Sequence, residues 1–371
     1  MTDTGKEQKK SRNPNRRHTF YLININLMAA VTIAVCAAAG YLVYRLQKAN
    51  ARIESFKAEV TDPENGGKVY WTESELNDKI AEAEKRATGR EHSTILQQIQ
   101  SSLESGESTL DMLRKLFPDD LVVRNGDRYY FYTVADGVAL NDFAEGDFRR
   151  DDNGWLTYVG KNSSIHTENG IDVSASEGTV EWDKVREDGT DFAYLCLGSR
   201  GSNGKIAEDS AVEDNALGAS KNGIRTGIYY KLNAVSDKEA AADANYVADF
   251  LDSKGKTLGI SADLPVGLTV TVPSDESRAA GQSQEDWTSH VLKFCSTLSD
   301  RGYKPMIYGN INSFTMMLDI RRLEDYDKWL SETSVDPYDP YAFTYWQYTQ
   351  ESTLDGIEGK VHRDLAIVTK K

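Results

Sequence analysis

Two stretches of this sequence carry side chains whose type and spacing let them act together. Gly267-Leu268-Thr269-Val270-Thr271-Val272-Pro273 reads as a strand. Residues two apart on a strand point the same way, so Thr269 and Thr271 are expected to face one cleft and to offer it two hydroxyls. Toward the other end His362 and Asp364 share a face in the same manner, and Asp172 sits in the strand-like Gly170-Ile171-Asp172-Val173-Ser174. Histidine exchanges protons near neutral pH and a carboxyl can be tuned to do so, whereas a threonine hydroxyl does not ionise usefully there. Asp275 and Glu276 follow the threonine strand, but an extended chain places Asp275 about 13 Å past Thr271. Asp263 precedes that strand and so belongs to its other end.

These residues need a scaffold of strands. From Gly170 onward the pattern alternates strand and helix, with strands expected at 171–174, 192–198, 224–230, 265–272, 305–308, 328–330, 343–348 and 365–368. The clearest helices are expected at 237–253 and 283–301, each followed by a glycine, Gly255 and Gly302. About eight strands alternating with helices match the count of a β/α barrel, whose reactive groups gather where the strands end. Histidines 18, 92, 166, 290 and 362 show no metal-ligand spacing, and no Gly-rich nucleotide fingerprint follows a strand. We expect neither metal nor cofactor.

Ahead of this region the organisation changes. Residues 1–18 form a basic tail with six Lys/Arg against two acids. The segment 19–45, uncharged from Thr19 to Tyr44, is long enough for one membrane-spanning helix, since about 20 apolar residues cross a bilayer core. The positive tail orients the N-terminus to the cytoplasm and the bulk outside. Residues 46–117 read as a helical stalk with an apolar stripe of Ile95, Ile99, Leu103, Leu110 and Leu113, which fits either a dimerising face or a helix packed on its own neighbour domain. Residues 118–168 read as a small β-rich spacer with hairpin turns at Asn125-Gly126-Asp127 and Asp152-Asn153-Gly154, and 169–371 as the barrel.

The order and spacing of several motifs resemble the glycoside hydrolase family 25 muramidases, or lysozymes. They are Gly170-Ile-Asp-Val-Ser174, Gly178-Thr-Val-Glu-Trp-Asp-Lys-Val185, Asp191-Phe-Ala-Tyr-Leu-Cys-Leu197, Gly223-Ile-Arg-Thr-Gly-Ile-Tyr-Tyr230, Gly302-Tyr-Lys-Pro-Met-Ile-Tyr308, Trp346-Gln-Tyr-Thr349 and Asp355-Gly-Ile-Glu-Gly359. The resemblance implies a TIM-like barrel acting on peptidoglycan at a Gram-positive-type cell wall. It also implies a cleft lined by an Asp on the first strand, an Asp-x-Glu on the fourth, and an Asp within a Val-Asp-x-[Asn/Asp] pattern near the end. Asp172 matches the first. Thr269 and Thr271 stand where Asp-x-Glu belongs. His362 stands where the last acid belongs, unless a two-residue shift brings in Asp364. Tyr230, Tyr308, Trp346 and Tyr348 are the aromatics expected to stack on sugar faces.

Glycoside cleavage needs a proton for the leaving oxygen and an anion, water or substrate amide for the sugar carbon. Two threonines supply neither. The departure implies a glycan-binding pseudoenzyme, with an active muramidase using relocated acids, or an envelope scaffold, as alternatives. The net charge of −15 excludes nucleic acid and anionic polymers as partners for the acidic surface. A hydrophobic content of 39% suffices for a sizeable core, and three cysteines are too few for a disulfide scaffold, with a Cys196–Cys295 bridge left open beside two buried thiols.

Overall fold

The computed structural model describes residues 94–102 and 104–369, with isolated positions 41, 44, 45, 47, 48 and 85 before them. The expected basic tail, nearly all of the expected membrane span, most of the stalk and Leu103 lie outside the described residues. Among the described residues no helix is long and apolar enough to cross a membrane. The chain divides into two compact units, Met1–Phe131 and Tyr132–Lys371.

In the first unit residues 94–102 are helical, and the chain turns at Gly106 into α1 (Thr109–Leu116). Ser108 starts that helix by accepting a hydrogen bond from the Asp111 N–H, which satisfies one of the open donors of the first turn. Strands β1 (Asp120–Asn125) and β2 (Arg128–Thr133) form a hairpin around Gly126, whose positive φ of 62° suits the tight turn. Ile95, Ile99 and Leu110 pack with Met112, Leu113, Leu116, Phe117 and Val122. The described part of the apolar stripe thus packs within its own unit, with Leu113 buried and Ile95, Ile99 and Leu110 half-buried.

The second unit is a mixed α/β fold around one large sheet. A hairpin of β3 (Phe148–Arg150) and β4 (Leu156–Tyr158) comes first, followed by β5 (Ile165–Val173), α2 (Trp182–Glu187), β6 (Phe192–Arg200), β7 (Ile206–Glu208), α3 (Val212–Lys221) and β8 (Arg225–Lys231). Then come α4 (Asp237–Phe250), β9 (Val266–Thr269), α5 (Gln284–Asp300), β10 (Pro305–Gly309), β11 (Asp327–Ser331), β12 (Tyr345–Leu354) and β13 (Ile357–Thr369). Strand β5 pairs with β13 on one side and β6 on the other, so eight strands close into a hydrogen-bonded ring in the order β5-β13-β12-β11-β10-β9-β8-β6. All neighbours run parallel except β13, which is antiparallel to both β12 and β5. The chain passes from β10 to β11 through a π turn and a 3-10 turn instead of a regular helix.

Alternation along each strand sorts the side chains. Phe192, Tyr194, Cys196, Tyr229, Met306, Tyr308, Trp329 and Ala366 fill the inside of the ring, with Tyr345 and Val368 against them. Glycines on neighbouring strands make the room: a Cβ on Gly170 would sit 2.1 Å from the Phe192 ring, and one on Gly227 would sit 2.5 Å from the Tyr194 ring. The outer face carries Ile171, Leu195, Ile228, Tyr230, Leu268, Ile307, Leu330, Trp346 and Tyr348, all buried. Phe148 of the β3–β4 hairpin meets Trp346 edge-on at 5.2 Å, and Arg363 lies over the Trp155 ring at 4.2 Å. Residues 132–168, which the sequence groups with a separate spacer, therefore share the compact unit of the ring.

Three element boundaries differ from expectation. The long helix does not close at Gly255. It passes through a π turn (Leu251–Gly255) and a last turn (Lys256–Leu258), and closes at Gly259, which has the left-handed φ of 74° while Gly255 stays helical. Strand β9 stops at Thr269 because the next carbonyl, that of Val270, accepts from the Ser313 hydroxyl at 2.7 Å instead of a strand partner. The final strand is much longer than 365–368, since β13 pairs along β12 and β5 together.

Candidate active site

The parallel strands all end at one rim of the ring, and the rim is built by continuing each inward row of side chains. Two residues beyond Tyr229 comes Lys231, two beyond Gly267 comes Thr269, two beyond Trp329 comes Ser331, and two beyond Tyr345 comes Gln347. Asp172, Cys196, Tyr308 and His362 complete the layer. The register places His362 directly opposite Asp172 on the antiparallel pair β13–β5, and Gln347 opposite Asp364 on β12–β13.

The centre of the layer is a closed hydrogen-bond network. His362 Nδ1 lies 3.1 Å from Asp172 Oδ1, and Gln347 Nε2 donates to Asp172 Oδ2 at 2.6 Å. Gln347 Oε1 accepts from the Tyr308 hydroxyl at 2.9 Å, the Ser331 hydroxyl at 3.0 Å and Gln350 Nε2 at 2.7 Å. Three donors on its oxygen fix the amide so that its nitrogen faces Asp172. Gln347 Nε2 also lies 3.1 Å from His362 Nδ1. With the amide donating to Asp172, the consistent tautomer has Nδ1–H directed at the carboxylate, which leaves Nε2 for the cleft. The Asp172 side chain is 8% exposed and that of His362 is 37% exposed, so the imidazole is the reachable member of the pair.

Electrostatics separate the groups further. Burial pulls the His362 pKa down, but the hydrogen bond and charge of Asp172, with Glu177 adding to them, outweigh it and raise the pKa above its ordinary value. Glu177 itself is tied down, accepting from the Ser174 N–H at 2.6 Å in the capping box of the 3-10 turn that follows β5. Asp364 is fully buried and accepts from Trp329 Nε1 at 2.9 Å. Burial first and the Asp172 charge second push its carboxyl well above the usual range, so it is held neutral beneath Asp172. Tyr229 and Tyr308 are likewise raised by burial and then by Asp172, and both phenols stay protonated.

The structure brings together Asp172, Thr269, Tyr308, His362 and Asp364 from the sequence expectations and leaves others apart. Thr271 lies past the end of β9 and is exposed. Asp275 and Glu276 are exposed on the loop beyond it, and Asp263 is at the opposite strand end, paired with Arg225 at 3.3 Å. Tyr230, Trp346 and Tyr348 do not stack on any ligand from the cleft: all three are fully buried on the outer face. Tyr230 stacks on Phe294 of α5 at 6.0 Å, Trp346 meets Phe148 and Phe343, and Arg150 lies over the Tyr348 ring at 4.9 Å. They sit one residue out of phase with the inward row of Tyr229, Tyr345 and Gln347. Gln347 was missed from sequence, although a single amide between two aromatics in a buried strand is the signal that marks it. Cys196 and Cys295 are free and buried. Among the described residues no group of three or more His, Cys, Asp or Glu side chains could hold a metal ion.

With this geometry in view, comparison with known proteins is informative. The sequence profile of glycosyl hydrolases family 25 matches residues 171–357, half of the chain. The chain belongs to this family. The autolytic lysozyme of Clostridium acetobutylicum is 25% identical over 196 residues, which cover 53% of this chain and 54% of the relative, so the chain spans about half the length of that curated relative. Among solved structures, the modular autolysin LytC of Streptococcus pneumoniae in complex with a synthetic peptidoglycan ligand aligns with 21% identity and a TM-score of 0.48 over 64% of this chain and 53% of its own. The bacterial lysozyme of Streptomyces coelicolor aligns with 26% identity and a TM-score of 0.44 over 53% of this chain and 90% of its own. In this family member the matched region begins one residue before Asp172 and stops before His362.

Proposed function

We propose that the rim of the ring, read as the mouth of a TIM-like barrel, binds peptidoglycan glycan strands without cleaving them efficiently. In this reading the chain is a membrane-anchored, lysozyme-like protein of the cell wall, with a cytoplasmic N-terminus and the barrel outside. A lysozyme among the curated relatives favours that ligand. The observation that carries the reading is the direct contact of Asp172 with His362 at 3.1 Å. Glycosidases of the usual kind place two separate carboxyls about 5–5.5 Å apart for retention or about 6.5–9.5 Å apart for inversion. Here the reachable proton-handling groups are hydrogen-bonded to each other and act as one unit. Asp364, the other acid beside them, is buried and neutral, and Thr269 cannot donate a proton usefully. Losing general acid help alone costs about 10²–10⁴ in rate.

A second reading, slow hydrolysis, is favoured by one observation: His362 Nδ1 is committed to Asp172 while its other nitrogen is free for the cleft. An imidazolium there could protonate a leaving oxygen, with the sugar's own acetamide as nucleophile. The deciding experiment incubates the full chain with purified peptidoglycan and follows reducing-end release, alongside retention on washed cell walls. Retention without release supports the binder. Slow release abolished by both Asp172→Asn and His362→Asn supports the second reading, and release at the rate of an active muramidase overturns the first. No retention would turn the assignment to an envelope scaffold.

A further inference from the structure

A cavity of about 470 Å³ lies toward the starts of the strands, away from the mouth, between β8 and β9 on one side and the end of α4 and the turn before β10 on the other. Its walls are largely apolar, with Ile228, Leu251, Ile260, Leu264 and Val266 among them. The backbone makes the room. The chain relaxes from α4 into the π turn Leu251–Gly255, a wider turn than the α-helix and one that recurs at functional sites. Gly255, which also lines the cavity, is buried and has the ordinary helical φ and ψ of −51° and −49°. A Cβ added to it would meet only the Leu251 side chain, at 3.6 Å. Glycine weakens a helix, and no positive φ calls for it here. What its missing side chain supplies is open space.

The polar groups of the lining are unevenly matched. Lys304 pairs with Asp327 at 2.5 Å. The Tyr303 hydroxyl donates to one oxygen of Asp252 at 2.6 Å, and Arg301 takes the other at 2.6 Å. Lys256 has no carboxylate within ion-pair distance among the described residues, although the chain as a whole carries a net charge of −15. We propose that this cavity binds a small organic anion, an apolar body ending in a carboxylate that pairs with Lys256. Apolar walls, a few placed polar groups and a volume within about 300–1,000 Å³ are the common features of small-molecule sites. A neutral occupant would leave Lys256 unmatched, and a cationic one would be repelled by it. The site is separate from the mouth, so the inference holds whatever the mouth binds.

The test titrates the full chain in lipid nanodiscs, with empty nanodiscs as the blank, against hydrocinnamate and its neutral counterpart hydrocinnamyl alcohol. Calorimetry is expected to show one saturable site per chain, with the acid bound about fivefold more tightly than the alcohol, the worth of a partly exposed ion pair. Lys256→Met is expected to remove that preference and to leave the alcohol's affinity unchanged. Gly255→Leu fills the cavity without backbone strain, and is expected to abolish binding of both probes while Tm stays at or above the wild-type value. Equal affinity for acid and alcohol, or a preference that survives Lys256→Met, overturns the anion assignment. Binding of neither probe, or binding undiminished in a folded Gly255→Leu variant, overturns the site itself.

Discussion

His362 sits opposite Asp172 on adjacent antiparallel strands, its Nδ1 3.1 Å from one carboxylate oxygen and 3.2 Å from the other. The carboxylate therefore favours the protonated imidazole. Because the folded-state pKa of His362 lies above its ordinary value of about 6.5, the pair's stabilising contribution is complete below that value and is lost as pH rises through the folded pKa. Wild type is expected to melt above His362→Asn at pH 5, with the gap closing by pH 9. Calorimetric Tm values across that range check it; a gap that widens with pH contradicts the tautomer assigned above.

Restoring the missing acids is the complementary test. Thr269→Asp with Thr271→Glu is expected to raise reducing-end release from peptidoglycan on the order of 10²-fold over wild type, the lower end of what general acid catalysis supplies. Thr269 already faces the rim, so the first change needs no rearrangement of β9. A double variant that folds, is retained on cell walls and stays silent shows that His362 and the position of Thr271 also block turnover.

Asp339 gives a pH signature of the same sign from a different cause. The loop between β11 and β12 buries it almost completely, with one oxygen accepting from the Tyr341 N–H at 3.0 Å and the other without a partner. Burial, helped by Glu332, pushes its pKa up to about 7 against the opposing Tyr341 N–H and Lys328. A carboxyl raised in the folded state binds its proton more tightly there, so stability declines as pH climbs from about 4 to about 7, by on the order of 4 kcal/mol over the window. Asp339→Asn is expected to flatten that decline, read from urea melts at pH 5 and pH 8.

The β6–β7 hairpin is held to α4 by the buried pair of Arg200 Nη2 and Asp243 Oδ1 at 2.5 Å. Removing one partner strands the other charge in a dry environment. Asp243→Ala is expected to cost about 3–5 kcal/mol in a denaturant titration. A cost below 1 kcal/mol would mean that water reaches the Arg200 guanidinium.

Much of the scaffold was legible because buried strands such as Phe192–Arg200 open with continuous apolar runs and because strand and helix patterns alternate from Gly170 onward. That Asp172 and His362 belong near one another, and Thr269 at a strand end, was legible too. The phase of each strand was not. Tyr229 and Tyr230 are equally aromatic, and only the pairing of β8 with β6 and β9 decides that the first points in and the second out. The same holds for Gln347 between Trp346 and Tyr348. Its role arises from donors on β10 and β11 and acceptors on β5, which converge only after the ring has closed. Gly255 misled for a related reason: a glycine marks a helix end only where a positive φ is required, and that need falls at Gly259.

The seam where β13 meets β5 has a consequence for how this molecule can fail. Asp172 and His362 are 190 positions apart, and loop closure over such a span is among the slowest steps available to a folding domain. A nick in the β12–β13 connection, or any partner that pries this strand loose, would disarm the mouth while most of the chain kept its shape. Protease protection of that one hairpin is thus a direct gauge of how many molecules in a sample have the seam closed.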